Sequence, residues 1–263
     1  MLRLAVIGDP IEHSKSPEIH GEILTRMGVS HVYERVRVKA GELGKFIDYA
    51  RENKLDGFNL TMPHKVDILP YLDEISHDAN ILKSVNTVKI VNGKLHGFNT
   101  DGDGYIMALQ EIGYNVLDKN IVILGAGGVV RTLAATVIMN GAKSVKILNR
   151  TPEKAKSICD DILKYTKADL TFGVNDVRNI SKCLKDADIL INATPLGMEG
   201  FPKDYEDLGF FEFLKKGALV SDLIYNPEKT TFLSHAENRG FIISNGMRML
   251  INQAEIADKI WNS

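Results

Sequence analysis

Cysteine and tryptophan are nearly missing from this chain, which holds two of the first and one of the second in 263 residues. Cys159 and Cys183 have neither paired metal-ligand spacing nor a C-x-x-C arrangement. That excludes a zinc ribbon, a disulfide scaffold and a thioredoxin-type redox pair, and leaves reduced structural thiols. No His/Cys/Asp/Glu cluster suggests a metal, so none is expected. An excess of one charge is also lacking: 32 Lys and Arg against 34 Asp and Glu give a net charge of −2. Without a basic block there is no nucleic-acid footprint, and a small anionic ligand needs only a local cluster. No apolar stretch reaches membrane-spanning length, and the start, MLRLAVIGDP, has too short an apolar run and no cleavage signature. The expectation is a cytoplasmic protein without a membrane partner. Internal repeats and low-complexity runs are absent as well.

What is present organises itself around residues 120–154. Residues 121–124 are a wholly apolar run of the kind buried on both faces of a parallel sheet, and they lead into Gly125-Ala126-Gly127-Gly128. Residues 131–140 then read as a helix, Gly141 as its end, and residues 145–148 as a second strand. Glycines at such a turn let backbone approach a pyrophosphate, and the helix start behind them offers unpaired N–H groups. The third small position of the fingerprint holds Val130. At the end of the second strand, where an acidic side chain would accept bonds from an NAD ribose, the chain offers Asn149-Arg150-Thr151 with Lys154 a turn further on. A guanidinium pairs with a 2′-phosphate that a carboxylate repels, so the cofactor reads as NADP. The plainer reading makes Arg150 and Lys154 solvated residues of a helix start with Thr151 as N-cap and Pro152 at N1.

The first hundred residues alternate strands and helices. Residues 2–7 form a strand ending in Gly8-Asp9-Pro10, and His13-Ser14-Lys15-Ser16-Pro17 follows, with Ser16 expected as N-cap of a helix to about Met27. Two hydroxyls at a helix mouth suit a carboxylate. Residues 32–38 read as a half-buried strand, 42–53 as an amphipathic helix, and 56–60 as a strand delivering Asn59-Leu60-Thr61-Met62-Pro63-His64-Lys65, after which another helix begins. In an open α/β sheet ligands sit at the strands' carboxyl ends, which would bring Thr61 and Lys65 to the crevice of Ser14 and Ser16. A strand over 84–91, the Asn92-Gly93 turn and a strand over 94–98 make a hairpin. Asn99-Thr100-Asp101-Gly102 comes next, with Asp101 either a helix N-cap or a group at a domain boundary, where clefts form. In the second half, strands over 188–192 and 218–223 end in Ala193-Thr194-Pro195 and Tyr225-Asn226-Pro227. A short strand over 240–244 precedes a long last helix over 246–261.

Taken together, Gly8-Asp9-Pro10, His13 to Pro17, Asn59 to Lys65, Asn86-Thr87, Asn99 to Gly102, Gly125 to Gly128, Asn149 to Thr151, Asn192 to Thr194, Tyr225 to Pro227 and Gln253 resemble the shikimate dehydrogenases. The resemblance covers nearly the whole chain in order. It implies two α/β domains: a mainly parallel open substrate domain over 1–102, completed by the helix 246–263, and a Rossmann-type NADP domain over 103–245. It implies reversible reduction of 3-dehydroshikimate to shikimate in aromatic amino acid and chorismate biosynthesis, by a monomer or homodimer. By position, Ser14, Ser16 and Tyr225 would hold the substrate carboxylate, and Thr61, Lys65, Asn86, Asp101 and Gln253 the ring hydroxyls and the reacting oxygen. Gly125, Ala126, Gly127, Gly128, Val129, Asn149, Arg150, Thr151, Lys154, Leu223 and Gly246 would hold the cofactor. The chain departs from the family at Lys83 and Ser84, where glycine and alanine are common, at Lys154, where arginine is, and at Arg248, where a small or aliphatic residue is usual.

Hydride addition to a ketone builds charge on its oxygen, and an ammonium placed there stabilises that charge and can deliver the proton. Lys65 fits this role, with Asp101 orienting it, and the proton is carried by one of them or shared. Two other readings are a quinate/shikimate dehydrogenase with NAD preference and a non-catalytic dinucleotide-binding sensor. The second need keep neither Lys65 nor Asp101.

Overall fold

A computed structural model describes residues 1–263, which divide into two compact units. The first comprises Met1–Gly104 and Ile251–Ser263, the second Tyr105–Leu250.

The first unit runs β1 (Leu2–Gly8), α1 (Ser16–Arg26), β2 (His31–Arg37), α2 (Leu43–Glu52), β3 (Gly57–Leu60), α3 (His64–Asp67), β4 (Glu74–Ile75), α4 (His77–Leu82), β5 (Thr87–Val91) and β6 (Lys94–Phe98). The helix α5 (Asp101–Glu111) begins in it. Its sheet has the order β2-β1-β3-β5-β6-β4, parallel from β2 to β3 and antiparallel across β3-β5-β6. Strand alternation sorts side chains onto two faces. Ala5, Ile7, Phe58 and Leu60 pack against Phe46 and Ile47 of α2. On the other face Leu4 meets Leu24 of α1 with Ala257 and Trp261 of the last helix. Gly57 belongs to that second face, where a Cβ would lie 2.2 Å from Trp261 Nε1, so only glycine lets the last helix close on the sheet. At the β5–β6 turn Asn92 and Gly93 have φ of 52° and 78°, the primed geometry that the right-handed twist of a hairpin favours.

The second unit continues β7 (Asn120–Leu124), α6 (Val130–Met139), β8 (Ser144–Asn149), α7 (Pro152–Leu163), β9 (Asp169–Val174), α8 (Val177–Leu184), β10 (Ile189–Asn192), β11 (Leu219–Asp222), α9 (Thr231–Glu237) and β12 (Ile242–Ser244). The last helix α10 (Met247–Asn262) starts here and ends in the first unit. All pairings are parallel in the order β12-β11-β10-β7-β8-β9. The chain winds outward from β7 to β9 and then returns to β10 on the other side. That reversal opens a crevice at the carboxyl ends of β7 and β10, the place where doubly wound sheets bind dinucleotides. No helix is long and apolar enough to cross a membrane.

One local expectation fails. The helix expected after Pro63 is present as a single turn, but Ser16 is not an N-cap: α1 begins at Ser16 itself, Lys15 occupies the cap position, and no side chain caps through it. The Ser14 hydroxyl instead accepts the Ser16 N–H at 3.3 Å, a two-residue turn that competes with the usual cap. Five elements were not anticipated: β4 and α4 are two and six residues long, β9 is an edge strand with mostly exposed side chains, and α8 and α9 are eight and seven residues long.

Candidate active site

In the first unit α3, which follows β3, and the start of α5 bring Lys65 and Asp101 together. Lys65 Nζ donates to Asp101 Oδ2 at 2.6 Å, and the pair is largely shielded from solvent. Asn86, just before β5, donates from Nδ2 to Asp101 Oδ1 at 2.8 Å and to Thr100 Oγ1 at 3.0 Å. Its Oδ1 accepts from the Thr100 N–H at 2.9 Å. Gln253 of α10 closes the group, its Oε1 accepting from Asn86 Nδ2 at 3.4 Å and Thr100 Oγ1 at 3.3 Å. Asp101 is therefore not an N-cap. It is the first residue of α5, its carboxylate oxygens face Lys65 and Asn86, and Asn99 Oδ1 takes the Asp101 N–H at 3.1 Å.

Thr61 lies half-buried at the end of β3, four residues before Lys65. Its methyl fills the space beside Gly8, where a Cβ would come within 2.3 Å of it. Ser14 and Ser16 form a pair of their own, the Ser14 hydroxyl donating to Ser16 Oγ at 3.1 Å. Arg35 of β2 ties this loop down by donating from Nε to the Ser14 carbonyl at 2.8 Å. Tyr225 stands in the second unit.

Sequence reasoning missed Asn59. It is buried in β3, and its Nδ2 donates to the Asn86 carbonyl at 3.1 Å and Thr87 Oγ1 at 3.0 Å. The readable signal was a lone amide inside a strand whose four residues are all buried, since a buried polar group needs partners.

The second unit presents bare backbone at the end of β7. Gly125 has φ of +111°, and a Cβ there would lie 2.7 Å from the Ala193 carbonyl oxygen, so the turn and the close approach of β10 both require glycine. A Cβ on Gly128 would meet nothing within 4 Å, and one on Gly127 only the Ala193 oxygen at 4.0 Å. No protein acceptor meets the N–H groups of Gly127, Gly128 or Val129 at the start of α6. A concave, donor-rich stretch of this kind fits a pyrophosphate. Val130 is buried, packing the third fingerprint position against the sheet. Beyond β8, Asn149 turns its amide to the Thr151 carbonyl at 2.8 Å, and Arg150 and Lys154 are exposed with no carboxylate partner. Thr151 holds the N-cap position of α7 but its hydroxyl makes no cap bond, so the helix start leaves that group free. The residues fit a 2′-phosphate. Leu223 and Gly246 meet across β11 and the start of α10, where a Cβ on Gly246 would lie 2.1 Å from the Leu223 oxygen.

Two buried side chains hold the strand ends under this surface. Asn192 Nδ2 donates to Asp222 Oδ1 at 3.0 Å, and its Oδ1 accepts from the Thr194 N–H and from the Tyr205 hydroxyl at 2.9 Å. Asp222 also accepts from the Ile224 N–H and from Thr230 Oγ1 at 2.6 Å. Burial pushes the Asp222 carboxyl up to about 6 against these donors. A cavity of about 490 Å³ lies at the opposite end of the sheet among Lys143, Lys146, Lys182 and Lys215. Lys143 and Lys182 stand near the ends of α6 and α8, where a cation offsets the helix dipole, and Lys215 pairs with Asp188 at 2.5 Å, so the cluster has structural partners away from the chemistry.

Residues 6–88 match the family described as the shikimate dehydrogenase substrate binding domain, and residues 107–197 match the shikimate / quinate 5-dehydrogenase family. A curated relative, shikimate dehydrogenase (NADP(+)) of Alkaliphilus oremlandii, is 41% identical over 97% of this chain and 90% of its own length. The chain belongs to the shikimate dehydrogenase family. Among solved structures, a shikimate dehydrogenase in complex with NADP+ is 40% identical with a TM-score of 0.91, over 99% of this chain and 90% of that one. Shikimate 5-dehydrogenase from Listeria monocytogenes, in complex with shikimate and NAD, is 33% identical with a TM-score of 0.92, over 100% and 92%. Lys83 ends α4 with φ of +50°, a left-handed position that glycine fills without strain.

Proposed function

We propose that this chain is an NADP-dependent shikimate dehydrogenase, reducing 3-dehydroshikimate to shikimate reversibly on the route to aromatic amino acids and chorismate. The observation that carries the reading is the Lys65–Asp101 pair with Asn86 and Gln253 gathered on the same carboxylate. The first unit takes the substrate and the second the dinucleotide. When bound, NADPH supplies the hydride.

Lys65 Nζ stands by the reacting oxygen, where a cationic donor stabilises the charge that develops and can pass its proton on. Asp101 aims Lys65 and accepts from a neighbouring ring hydroxyl, while Asn86, Thr61 and Gln253 bind the remaining oxygens. Ser14 and Ser16 hold the carboxylate through hydroxyl donors, a role that the resemblance also gives Tyr225. The N–H groups of Gly127, Gly128 and Val129 hold the pyrophosphate, with Gly125 and Ala126 shaping the turn. Arg150, supported by Asn149, Thr151 and Lys154, takes the 2′-phosphate. Leu223 and Gly246 line the nicotinamide end.

The test is a steady-state assay of the purified protein on shikimate and quinate with NADP and NAD. The highest kcat/KM is expected for shikimate with NADP. Preference for quinate or NAD would make it a relative of different specificity, and no turnover with any pair would leave a dinucleotide sensor.

A further inference from the structure

His20 of α1 and Asp258 of α10 form a hydrogen-bonded pair that is wholly buried, Nδ1 to Oδ1 at 2.7 Å. His20 Nε2 and Asp258 Oδ2 have no hydrogen-bond partner, and burial raises the Asp258 carboxyl while His20 opposes the rise. The attraction in such a pair does little more than repay its desolvation, so stability alone does not explain it. What the pair supports is Tyr33 of β2. The His20 and Tyr33 rings stack with centroids 4.6 Å apart and planes 14° from parallel, and Trp261 packs on the His20 ring at 5.3 Å. The tyrosine is thus held on a rigid platform built from two helices.

From there a chain of directed hydrogen bonds runs inward. Tyr33 OH donates to Asn59 Oδ1 at 2.5 Å. With its oxygen engaged, Asn59 presents Nδ2 to the Asn86 carbonyl and to Thr87 Oγ1. Because that amide donates to Thr87, the single Thr87 proton is free to go to Asn86 Oδ1 at 3.0 Å. Asn86 Oδ1 takes this proton together with the Thr100 N–H at 2.9 Å, and the two donors turn Nδ2 toward Asp101 Oδ1, which leaves Oδ2 for Lys65. The sense of every link is fixed, since an amide oxygen only accepts and an amide nitrogen only donates. A rotation of Asn59 that gave its oxygen the Thr87 proton would take that donor from Asn86. An Asn86 turned round would then set its oxygen against the Asp101 carboxylate.

We propose that Tyr33 is a positioning residue for the reaction: braced by the buried His20–Asp258 pair, its hydroxyl sets the orientation of Asn59 and Asn86 and so the hold of Asp101 on Lys65. This rests on the roles given to Lys65 and Asp101 under the proposed function. Burial also keeps the Tyr33 phenol well above its ordinary range, so it remains a donor throughout the working pH range.

Tyr33→Phe keeps the ring on its platform and removes only the hydroxyl. It should lower kcat for shikimate oxidation by about tenfold while changing KM for NADP by less than about twofold, because the damage falls on the reacting groups and not on cofactor binding. The double variant Tyr33→Phe, Asn59→Ser should have a kcat little below that of Asn59→Ser alone, since the hydroxyl reaches Lys65 and Asp101 through that amide, while its other contact, with the Ser16 hydroxyl, bears on the substrate KM. In the ligand-free protein the side-chain amide resonances of Asn86 should shift in Tyr33→Phe. Unchanged kcat, even with a lowered melting temperature, would reduce Tyr33 to a structural brace and overturn the proposal, as would fully multiplicative losses in the double variant. A wild-type protein inactive on shikimate would remove the proposed function instead. The Asn86 resonances would then decide alone, and unmoved resonances would overturn the relay.

Discussion

Lys65 reaches Asp101 across 36 residues of chain, its Nζ 2.6 Å from Oδ2, while Asn86 holds the other carboxylate oxygen. One oxygen is spent on orientation from each side, so the carboxylate cannot turn without losing a partner. Geometry of this kind makes the two residues one device. Lys65→Ala should lower kcat far more than it raises KM, because the charge on the reacting oxygen exists mainly in the transition state. The Lys65→Ala, Asp101→Asn double variant should be hardly slower than the worse single variant. Measuring kcat for all four proteins with NADPH and 3-dehydroshikimate checks both statements, and independent multiplicative losses would refute the pairing.

Arg150 is exposed at the end of β8 without a carboxylate partner, so its substitution should leave the fold alone. Arg150→Ala should weaken NADP by about ten- to a hundredfold, the worth of a lost charge-assisted bond, and NAD much less. Dissociation constants for the two cofactors are the measurement. Equal losses would show that the guanidinium does not read the 2′-phosphate.

Ser14 and Ser16 exchange the roles that their spacing suggests. Since Ser14 Oγ accepts the Ser16 N–H, Ser14→Ala should raise the substrate KM and also cost about 0.5 kcal/mol of stability, the low end for a lost cap-type bond. Ser16→Ala should raise KM with a smaller loss of stability, because its hydroxyl caps nothing. Urea unfolding beside steady-state kinetics separates the two, and the reverse order of stabilities would return the capping role to Ser16.

Asp222 should link stability to pH. Its carboxyl sits at about 6 in the folded protein, above the ordinary aspartate value. The folded state therefore binds more protons than the unfolded chain between roughly pH 4 and 6. The stability it contributes is full below about pH 4 and is lost as pH rises through 6, by about 3 kcal/mol in all. The difference in unfolding free energy between wild type and Asp222→Asn, followed from pH 4 to 7, isolates this group. A flat difference would show an ordinary carboxylate at this position.

The strands and glycine turns of the dinucleotide half were legible because their physics is local. A run such as residues 121–124 is apolar throughout only when both faces of its strand are buried, and Gly125 is required wherever a chain turns at positive φ beneath a neighbouring carbonyl. The same apolar runs marked β10 and β11 as strands, while their order beside β7 came only with the folded sheet. What stayed hidden was short or edge structure, such as α4, too short to show a period, and β9, whose alternating Leu170, Phe172 and Val174 lie on a largely exposed edge.

In the first unit the chain by itself determined which residue types were on offer, and the motifs around Ser14, Lys65 and Asp101 named most of the polar groups that now meet. Only tertiary structure decided their use. Whether Asp101 would cap a helix or grip Lys65 depended on β3 and α5 closing over Asn86, a contact between segments distant in sequence. The same holds for Asn59 and Tyr33, and for His20 with Asp258, 238 residues apart and brought together only when α1 and α10 pack on one face of the sheet. Local pattern encodes burial and turns, because those depend on neighbours along the chain. Hydrogen-bond partners of buried polar groups depend on neighbours in space, and those exist only once the sheet is formed.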